Sequence, residues 1–255
     1  MLGDCKSHKM SRYFYDLHIH SCLSPCADDD MTPENIAGMG AVAGLGIMAL
    51  TDHNSCKNLR PFFAACRRYG IVPVGGVELT TSEDIHLICL FSELENAEEF
   101  GEIIHERLLP VKNKPEIFGN QLIYGENDEV IGTEETLLIS ATSFSTDEAV
   151  SEVRHRGGLI YPAHVDREAN GIISVLGDIP PEPRFTCCEF NSSENIPSYT
   201  EKYSSLEGLE ILSCSDAHNL WKISEAVNSV EIDDEPYSSA RVRQKLIEKL
   251  GRRKA

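Results

Sequence analysis

The 255-residue sequence has no apolar run of transmembrane length and comparatively few basic residues. The first absence argues against a membrane-spanning helix, and the short, polar segment 1–11 predicts no secretory signal. Only 23 lysines and arginines stand against 41 acidic residues, which gives a formal net charge of −18. Because such a surface repels a long nucleic-acid duplex, an anionic partner would need bound cations. We therefore expect a small substrate or a short single strand as the partner, with no duplex and no membrane.

The nine cysteines do not follow the spacing of a zinc ribbon. Their number is odd, and the adjacent pair Cys187-Cys188 cannot easily form a disulfide. Because no export signal is predicted, we interpret the cysteines as reduced thiols of a cytoplasmic protein, several of them buried in strands. The one dense basic run, Arg252-Arg253-Lys254, is interpreted as a solvated helix end and not as a binding site.

Short apolar runs rich in β-branched or aromatic residues alternate with helical patterns along most of the chain. This alternation predicts parallel βαβ units, and the chain lacks the Gly-x-Gly-x-x-Gly turn of a doubly wound nucleotide fold. An α/β barrel with about seven strands is therefore the preferred fold. The predicted strands cover residues 13–17, 47–50, 71–74, 85–91, 159–161, 186–190 and 210–212. The predicted helices cover residues 32–44, 58–69, 146–156, 198–206 and 238–250.

Residues 92–145 interrupt this alternation. Segment 93–109 is acidic with a helical pattern, and segment 121–131 looks like a small hairpin with a polar turn at its centre. We predict a barrel domain over residues 12–255 with an α+β subdomain inserted at 92–145. The insertion follows a strand that bears a candidate metal ligand. It either shapes the pocket or lies away from it, and the sequence leaves both possibilities open.

Side chains of the metal-binding type follow one predicted strand after another. His18 and His20 come first, in a His-x-His pair directly after the first strand. At a strand end the backbone turns, so both imidazoles can converge on one ion such as Zn, Mn or Fe. In a β/α barrel the carboxyl ends of the strands form the active-site face, where we expect all these groups to meet. The groups on or after the five further strands are His53, Glu78, His86, His164, and Asp216 together with His218.

Each of these residues also has an ordinary structural interpretation. His53 can be a turn residue, Glu78 an exposed loop acid and His86 a hydrogen-bonded core histidine. We prefer a shared metal site because six strands deliver such groups at the same end. Mixed imidazole and carboxylate ligands exceed the capacity of one tetrahedral ion, so we expect two or three divalent ions. Asp16 and Asp52 are placed to orient the imidazoles.

Together these motifs resemble those of the polymerase and histidinol phosphatase (PHP) family of metal-dependent phosphoesterases. They run from residue 15 to residue 219, in the order in which the family has them. The matching segments are Asp16-Leu17-His18-Ile19-His20-Ser21, Thr51-Asp52-His53-Asn54, Gly76-Val77-Glu78, His86, Pro162-Ala163-His164 and Ser215-Asp216-Ala217-His218. The resemblance implies a distorted seven-stranded β/α barrel with three metal ions.

The resemblance also implies which residues bind each ion. The first ion would be bound by four residues and the second by three, with Glu78 shared between the two. The third ion would be bound by His53, His218 and one ligand from the loop after His20. The four residues of the first ion are His18, His20, Glu78 and Asp216, and the three of the second are Glu78, His86 and His164.

The last ligand of the third ion has two candidates, because the loop after His20 departs from the family pattern. The family usually has Asp or His there, whereas this loop is longer and reads Ser24-Pro25-Cys26-Ala27-Asp28-Asp29-Asp30. Counting back from Thr32 selects Asp28, and counting forward from His20 selects Cys26. We favour Asp28, because a hard carboxylate suits Mn or Fe, whereas Cys26 would argue for zinc.

By resemblance, the reaction is hydrolysis of a phosphate ester. A hydroxide that bridges two ions would attack phosphorus in line, and the catalytic residues would be Glu78, Asp216 and His218. Arg167 is the candidate substrate-binding residue, since arginine can bind phosphate through two hydrogen bonds. The alternative for Arg167 is a salt bridge to a neighbouring acid. Glu189 is a further ligand, a substrate contact or, as we favour, an acid that does not touch the ions.

Family members include histidinol-phosphate phosphatases, nucleoside bisphosphate phosphatases and exonucleases that act on short single strands. The acidic composition and the lack of a track rich in arginine and aromatic residues favour a small nucleotide or sugar-like phosphate. A 5'–3' exonuclease on short single-stranded RNA or DNA is the second hypothesis. A non-catalytic metal-binding scaffold or regulatory domain is the third.

Overall fold

A computed structural model describes residues 10–253. Most of segment 1–11, where no secretory signal is predicted, and Lys254 of the basic run lie outside this range. Within it the chain forms ten strands and eight α-helices. The strands are β1 Ser11–Asp16, β2 Ile47–Leu50, β3 Val72–Thr80, β4 His86–Phe91, β5 Leu122–Tyr124, β6 Val130–Thr133, β7 Leu159–Pro162, β8 Cys187–Phe190, β9 Glu210–Ser213 and β10 Ser229–Ile232. The helices are α1 Pro33–Ala43, α2 Leu59–Tyr69, α3 Leu94–Arg107, α4 Pro115–Phe118, α5 Thr146–His155, α6 Ile172–Leu176, α7 Ile196–Lys202 and α8 Ser239–Leu250.

A curled six-stranded sheet in the order β10-β1-β2-β3-β4-β7 forms half of a distorted barrel. Strands β8 and β9 pair in parallel and continue the wall. Two contacts join this pair to the sheet. Beyond β7, the Val165 N–H donates to the Glu189 carbonyl, and beyond β1, Ile19 and Ala217 form a parallel bridge. The predicted α/β fold with a distorted barrel is therefore confirmed.

Strand β4 is antiparallel to both of its neighbours, β3 and β7, although strand–helix alternation predicts parallel pairing. The connection explains the difference, because residues 81–85 are too few for the helical crossover that parallel strands need. Strand β3 is also longer than predicted and includes Glu78. The reversal brings His86, the first residue of β4, to the edge where β3 ends. Thr80 pairs with His86 and Glu78 with Ile88, so Glu78 and His86 are diagonal neighbours on one face.

The interior of the curled sheet is a packed apolar core and not a channel. Most strands contribute a side chain to it, and α8 packs three of its residues against it. A functional site must therefore lie at an end of the barrel. Among the fully buried residues of this core are Leu17, Ala49, Val74, Ile88 and Tyr161, and the residues from α8 are Val242, Leu246 and Leu250.

A second apolar cluster lies between the sheet and the outer helices. Helix α3, which the sequence assigns to the insertion, contributes to this second cluster. Its fully buried residues there are Ala97, Phe100 and Ile104. The rest of the insertion packs against the loop after His20, where the Leu122 N–H donates to the Cys22 carbonyl at 2.8 Å. The domain limits stay a prediction, but part of the insertion lies beside the metal-binding motifs. None of the helices within residues 10–253 is long and apolar enough to span a membrane.

Candidate metal centre

The His-x-His pair continues the line of β1 between the ends of β2 and β9. The Thr51 N–H donates to the Ile19 carbonyl at 2.9 Å, and Ile19 bridges to Ala217 on the other side. His18 and His20 are completely buried, and their Nε2 atoms lie 3.1 Å apart. Both imidazoles thus direct the same ring nitrogen to one point, as two ligands of one ion would.

Hydrogen bonds on the far side of each ring determine which nitrogen is free. His18 Nδ1 lies 2.7 Å from Glu189 Oε1, a carboxylate oxygen that accepts. His20 Nδ1 lies 3.0 Å from Ser24 Oγ, whose own proton is donated to Asp52 Oδ1 at 2.7 Å. Nδ1 is therefore the donor in both rings. Nε2 is the nitrogen that supplies the lone pair of a metal ligand once the imidazole is neutral.

Glu78 connects the histidines that come from different strands. Its side chain is 1% exposed, and Oε1 lies 2.8 Å from His86 Nδ1 and 3.0 Å from His164 Nε2. A carboxylate whose two oxygens face two groups of imidazoles has the arrangement of a ligand that bridges two ions. The distances from Oε2 are 3.0 Å to His53 Nδ1, 3.2 Å to His20 Nε2 and 3.5 Å to His18 Nε2.

Asp216, in the segment after β9, completes a circle of metal-binding side chains, called the ring below. Its members are His18, His20, His53, Glu78, His86, His164, Asp216 and His218. Asp216 Oδ1 lies 3.3 Å from His18 Nε2 and 3.2 Å from His20 Nε2. Its φ of 48° is in the left-handed region, which aspartate tolerates better than most residues and which turns the chain sharply after the strand. The His218 ring then folds back, and its Nδ1–H donates to the Asp216 carbonyl at 2.7 Å. The Nε2 of His218 is consequently the nitrogen left for a ligand bond.

The charges of the ring stabilise one another strongly. Burial alone would raise the pKa of Glu78, but the surrounding imidazoles, His86 first among them, hold the pKa well below its usual range. The pKa of Asp216 is likewise lowered, because His18 and His20 outweigh burial. These two residues are therefore carboxylates at neutral pH, as metal ligands must be.

The histidines divide into two kinds. Burial lowers the pKa of His20 and of His53, but the nearby carboxylates outweigh it and raise both pKa values to about 9. The pKa of His18 is also raised, since Glu189 and Asp216 outweigh burial. By contrast, burial and the neighbouring imidazoles lower the pKa of His218 to about 3.

Two properties of the ring suit divalent cations: its buried atoms without hydrogen bonds, and the chemical nature of its donor atoms. Glu78 Oε2, Asp216 Oδ1 and His53 Nδ1 are buried, and none of their close contacts has the geometry of a hydrogen bond. An unsatisfied buried polar atom costs about 1–3 kcal/mol, more if charged, and a cation would satisfy all three. Imidazole nitrogen with carboxylate oxygen suits Zn, Mn or Fe. Among residues 10–253, three sets have ligand atoms within 4.8 Å of one another: His18, His20, Glu78 and Asp216; His53, Glu78 and His86; and His20, His53 and His218.

The first of these sets has the same four residues that the sequence resemblance implies for the first ion. His164, expected to share the second ion, lies 3.0 Å from Glu78 and 3.3 Å from His86 by the nearest ligand atoms. The third set contains His53 and His218 as expected, and adds His20. The assignment of residues to ions stays a prediction.

Asp28 and Cys26, the two candidates for the last ligand of the third ion, both lie in the loop after His20. Asp28 is exposed, and its backbone N–H donates to the His218 carbonyl at 2.9 Å. Within the described residues, its carboxylate belongs to none of the three sets. Cys26 is exposed as well, and its thiol also belongs to none of the three sets within residues 10–253. Which of the two residues would bind the third ion stays a prediction.

Arg167 and Glu189 each contact one residue of the ring, Asp216 and His18 respectively. Arg167 is 42% exposed, and its Nη1 donates to Asp216 Oδ2 at 2.7 Å, so the expected alternative of a salt bridge is present. Glu189 is 1% exposed and hydrogen-bonded to His18, so it is not a surface acid. Sequence reasoning missed Ser24, which contacts His20 and also accepts from the His53 backbone N–H at 3.1 Å. The only local signal for Ser24 is a small polar residue four positions after His20.

A family model of the PHP domain matches residues 16–162, more than half of the chain. An error-prone DNA polymerase of Symbiobacterium thermophilum is 34% identical over 77 residues. A 3',5'-nucleoside bisphosphate phosphatase of Chromobacterium violaceum is 36% identical over 73 residues. The matches cover 30% and 29% of this chain but only 7% and 25% of those proteins, so the chain spans a small part of their length.

Solved structures share the fold at low sequence identity. Endonuclease Q of Pyrococcus furiosus superposes with a TM-score of 0.62 at 17% identity, over 96% of this chain and 57% of that one. A second endonuclease Q structure, in complex with a 27-mer duplex that has an abasic lesion, superposes with a TM-score of 0.63 at 17% identity. The match covers 96% of this chain and 58% of that one. A protein of Bifidobacterium adolescentis, named as a proposed metal-dependent phosphoesterase, superposes with a TM-score of 0.56 at 18% identity. The match covers 80% of this chain and 87% of that one. These likenesses confirm the fold alone.

Proposed function

Because the chain belongs to the PHP domain family, we propose that it is a metal-dependent phosphoesterase that hydrolyses a phosphate ester of a small molecule or nucleotide. The observation that carries the proposal is the position of Glu78, whose two oxygens face two separate groups of imidazoles. When bound, two or three divalent ions of Mn, Zn or Fe lower the pKa of water and stabilise negative charge on phosphoryl oxygens.

The protein's own residues hold and orient this centre. Glu189 and Ser24 fix the ring nitrogens that carry protons in His18 and His20. Glu78, Asp216 and His218 are the proposed catalytic residues, since they would hold ions that activate water and stabilise charge on phosphoryl oxygens. The remaining proposed ligands are His18, His20, His53, His86 and His164.

Arg167 is the proposed substrate-binding residue. Its contact with Asp216 holds the guanidinium beside the ring, while 42% of the side chain is exposed to an entering ligand. A guanidinium has five N–H donors in a planar fork, and the Asp216 contact uses one of them. The others are available for a phosphate oxygen, which arginine binds with strong, charge-assisted hydrogen bonds. The salt bridge and the phosphate contact are therefore compatible roles.

We propose a substrate of the size of a nucleotide. The relative from Chromobacterium violaceum is named as a phosphatase of 3',5'-nucleoside bisphosphates, which supports this class. The net charge of −18 opposes a duplex, so we propose that this chain differs in that respect from endonuclease Q. A 5'–3' exonuclease on short single strands is the second candidate, supported by the match to a DNA polymerase. We further propose a cytoplasmic location, since the eight cysteines within residues 10–253 are all free.

A substrate panel separates these candidates. Protein stripped of metal and reloaded with Mn, Zn or Fe is assayed on a nucleoside 3',5'-bisphosphate, p-nitrophenyl phosphate, single strands of increasing length and a duplex with an abasic site. We expect phosphate release from the bisphosphate, with no gain in kcat/KM as chain length increases. Cleavage that rises with strand length would favour the exonuclease. Cleavage of the duplex alone would contradict the proposed substrate class.

A further inference from the structure

Arg167 lies in a tight turn that begins at the histidine after β7. The Arg167 N–H donates to the His164 carbonyl at 2.9 Å and closes this turn over residues 164–167. His164 has a φ of 27°, in a region that residues other than glycine keep only where the surrounding structure holds them there. The direction in which Arg167 leaves the turn therefore depends on contacts made by its neighbours.

Asp166, the residue before Arg167, joins this turn to the loop after β8. Its carboxylate accepts three hydrogen bonds from that loop, and bonds to a carboxylate are stronger than those between neutral groups. The Val165 N–H adds a fourth contact, to the Glu189 carbonyl at 2.8 Å. The three donors to Asp166 are the Asn191 N–H to Oδ1 at 2.7 Å, the Ser192 N–H to Oδ2 at 3.1 Å and the Asn195 side-chain amide to Oδ2 at 2.8 Å.

The other side of the turn rests on the connection before β4. Gly171 approaches the Arg167 carbonyl so closely that an added Cβ would lie 2.4 Å from its oxygen. The Asn170 carbonyl accepts from the His86 N–H at 3.0 Å, and the Asn170 side-chain amide donates to the Asp84 carbonyl at 3.0 Å. The backbone of Arg167 is thus held between the start of β4 and, through Asp166, the loop after β8.

The charge of Asp166 opposes the role proposed for its neighbour. A carboxylate next to a phosphate-binding arginine repels an anionic substrate, because like charges raise each other's energy. Within residues 10–253, the Asp166 carboxylate also belongs to none of the three sets that could hold an ion. Its contacts are those to the loop after β8, so the geometric role and the electrostatic effect of Asp166 have opposite signs.

We propose that Asp166 is a positioning residue for substrate binding, which directs Arg167 to the phosphate by joining the turn after β7 to the loop after β8. This inference rests on the proposed function, because it takes phosphate as the ligand of Arg167. It makes residues 191–195 a support of the substrate site, although they supply no proposed metal ligand.

Asp166→Ala tests the proposal in the metal-loaded protein. We expect KM for a nucleoside 3',5'-bisphosphate to rise about tenfold, because a small displacement of a binding group causes losses of this order. The metal content should stay unchanged, and kcat should change less than KM. Asn195→Ala removes one of the three hydrogen bonds and should raise KM by a smaller factor. Circular dichroism checks that both variants fold.

Two comparisons separate positioning from charge and from stability. Glu168 follows Arg167, is exposed and forms no side-chain hydrogen bond or ion pair within residues 10–253. Glu168→Gln should therefore leave KM at or slightly below the wild-type value. In an Arg167→Met background, Asp166→Ala should raise KM no further, since the guanidinium that it positions is absent. An unchanged or lower KM in Asp166→Ala, or an equal rise with and without Arg167, overturns the proposal.

Binding of inorganic phosphate to the metal-loaded protein, measured by calorimetry, tests the same point without turnover. We expect Asp166→Ala and Arg167→Met each to weaken this binding. A wild type that hydrolyses no phosphate ester but binds phosphate more tightly than Asp166→Ala would overturn the proposed function and leave the role of Asp166 standing. Hydrolysis by a wild type whose Asp166→Ala variant keeps KM and phosphate affinity would do the reverse. A wild type that neither hydrolyses phosphate esters nor binds phosphate overturns both.

Discussion

His18 Nδ1 and Glu189 Oε1 lie 2.7 Å apart, and both side chains are almost completely buried. Glu189 is in β8 and His18 follows β1, so the contact joins parts of the chain that are 171 residues apart in sequence. Because a carboxylate accepts the Nδ1 proton, it directs His18 Nε2 towards the ring. Partners of this kind usually contribute 10–100-fold to metal affinity or activity, as an order of magnitude.

Replacement of Glu189 should therefore weaken metal binding although Glu189 is not a proposed ligand. We expect Glu189→Leu to lower the affinity for Zn²⁺ by about 10–100-fold, and Glu189→Gln, which keeps an acceptor oxygen, to lower it less. Competition with a zinc chelator measures the change. Glu194→Gln, at an exposed position shortly after β8, is the matched control. Wild-type affinity in Glu189→Leu would refute this role.

Replacement of Arg167 should affect substrate binding more than metal binding. A hydrogen bond between charged groups contributes about 1.5–3 kcal/mol, so we expect Arg167→Met to raise KM for a phosphate ester by about ten- to a hundredfold. The metal content should stay unchanged. Arg184→Met removes an arginine whose contact with Glu182 is highly exposed, and it should leave KM unchanged. An unchanged KM in Arg167→Met would show that the Asp216 contact is its whole role.

Metal binding should release protons at neutral pH. In the metal-free protein the pKa values of His20 and His53 are raised to about 9 and the pKa of His18 is raised well above its usual value, so all three imidazoles are protonated at pH 7 and must lose a proton to bind an ion. The apparent affinity should rise with pH and level off above about 9. His218, with a pKa lowered to about 3, is already neutral and releases none.

Calorimetric titration with Zn²⁺ at pH 7, in buffers that differ in ionisation enthalpy, counts these protons. The same shifts affect the metal-free fold. A raised histidine pKa stabilises the folded state fully at any pH below the pKa of the same side chain in the unfolded protein. This stabilisation is lost as pH rises through about 9. Binding without proton release, or an affinity that falls from pH 7 to pH 9, would disagree with this electrostatic account.

Gly119→Ala should destabilise the protein and disturb the loop that carries Cys26. Its backbone lies in a region that is essentially restricted to glycine, which costs about 1–3 kcal/mol for another residue, and the added Cβ would meet the Pro25 oxygen. Gly177→Ala is the matched control, because Gly177 also has a positive φ, +87°, but open space around its Cβ position. Urea unfolding of both variants should show the larger loss for Gly119→Ala. Equal losses would mean that the contact with Pro25 does not matter.

Local signals made several elements predictable from the sequence. The Thr32 hydroxyl accepts from the Asn35 N–H at 3.2 Å and Pro33 opens α1, as the pattern predicts. Strand β2 has the predicted bounds, because a short apolar run is flanked by clear breaks. The residues of the ring were also predictable, since each lies at or near a strand end. For all of them but His86, whose position depends on the reversed direction of β4, the common position follows from the barrel.

Features that depend on distant parts of the chain were not predictable. Strand β10 is short and alternates exposed with buried residues, and it exists because it pairs with β1, more than 200 residues away. The partner of Glu189 and the direction of β4 are likewise set by the closed barrel. Counting along the loop after His20 could not give its path, because that path depends on the contacts of Ser24 with His20 and of Gly119 with Pro25.

Phosphate release by the metal-loaded protein and by its Asp216→Asn variant tests the central claim most directly. We predict metal-dependent hydrolysis of a nucleotide phosphate by the wild type. In the variant, loss of the charge of this proposed metal ligand should lower kcat at least about 100-fold, since metal ions contribute several kcal/mol to such reactions, with little change in melting temperature. No hydrolysis by the wild type under any metal would contradict the account. So would a variant that keeps its turnover and loses only thermal stability, as a metal-binding scaffold would.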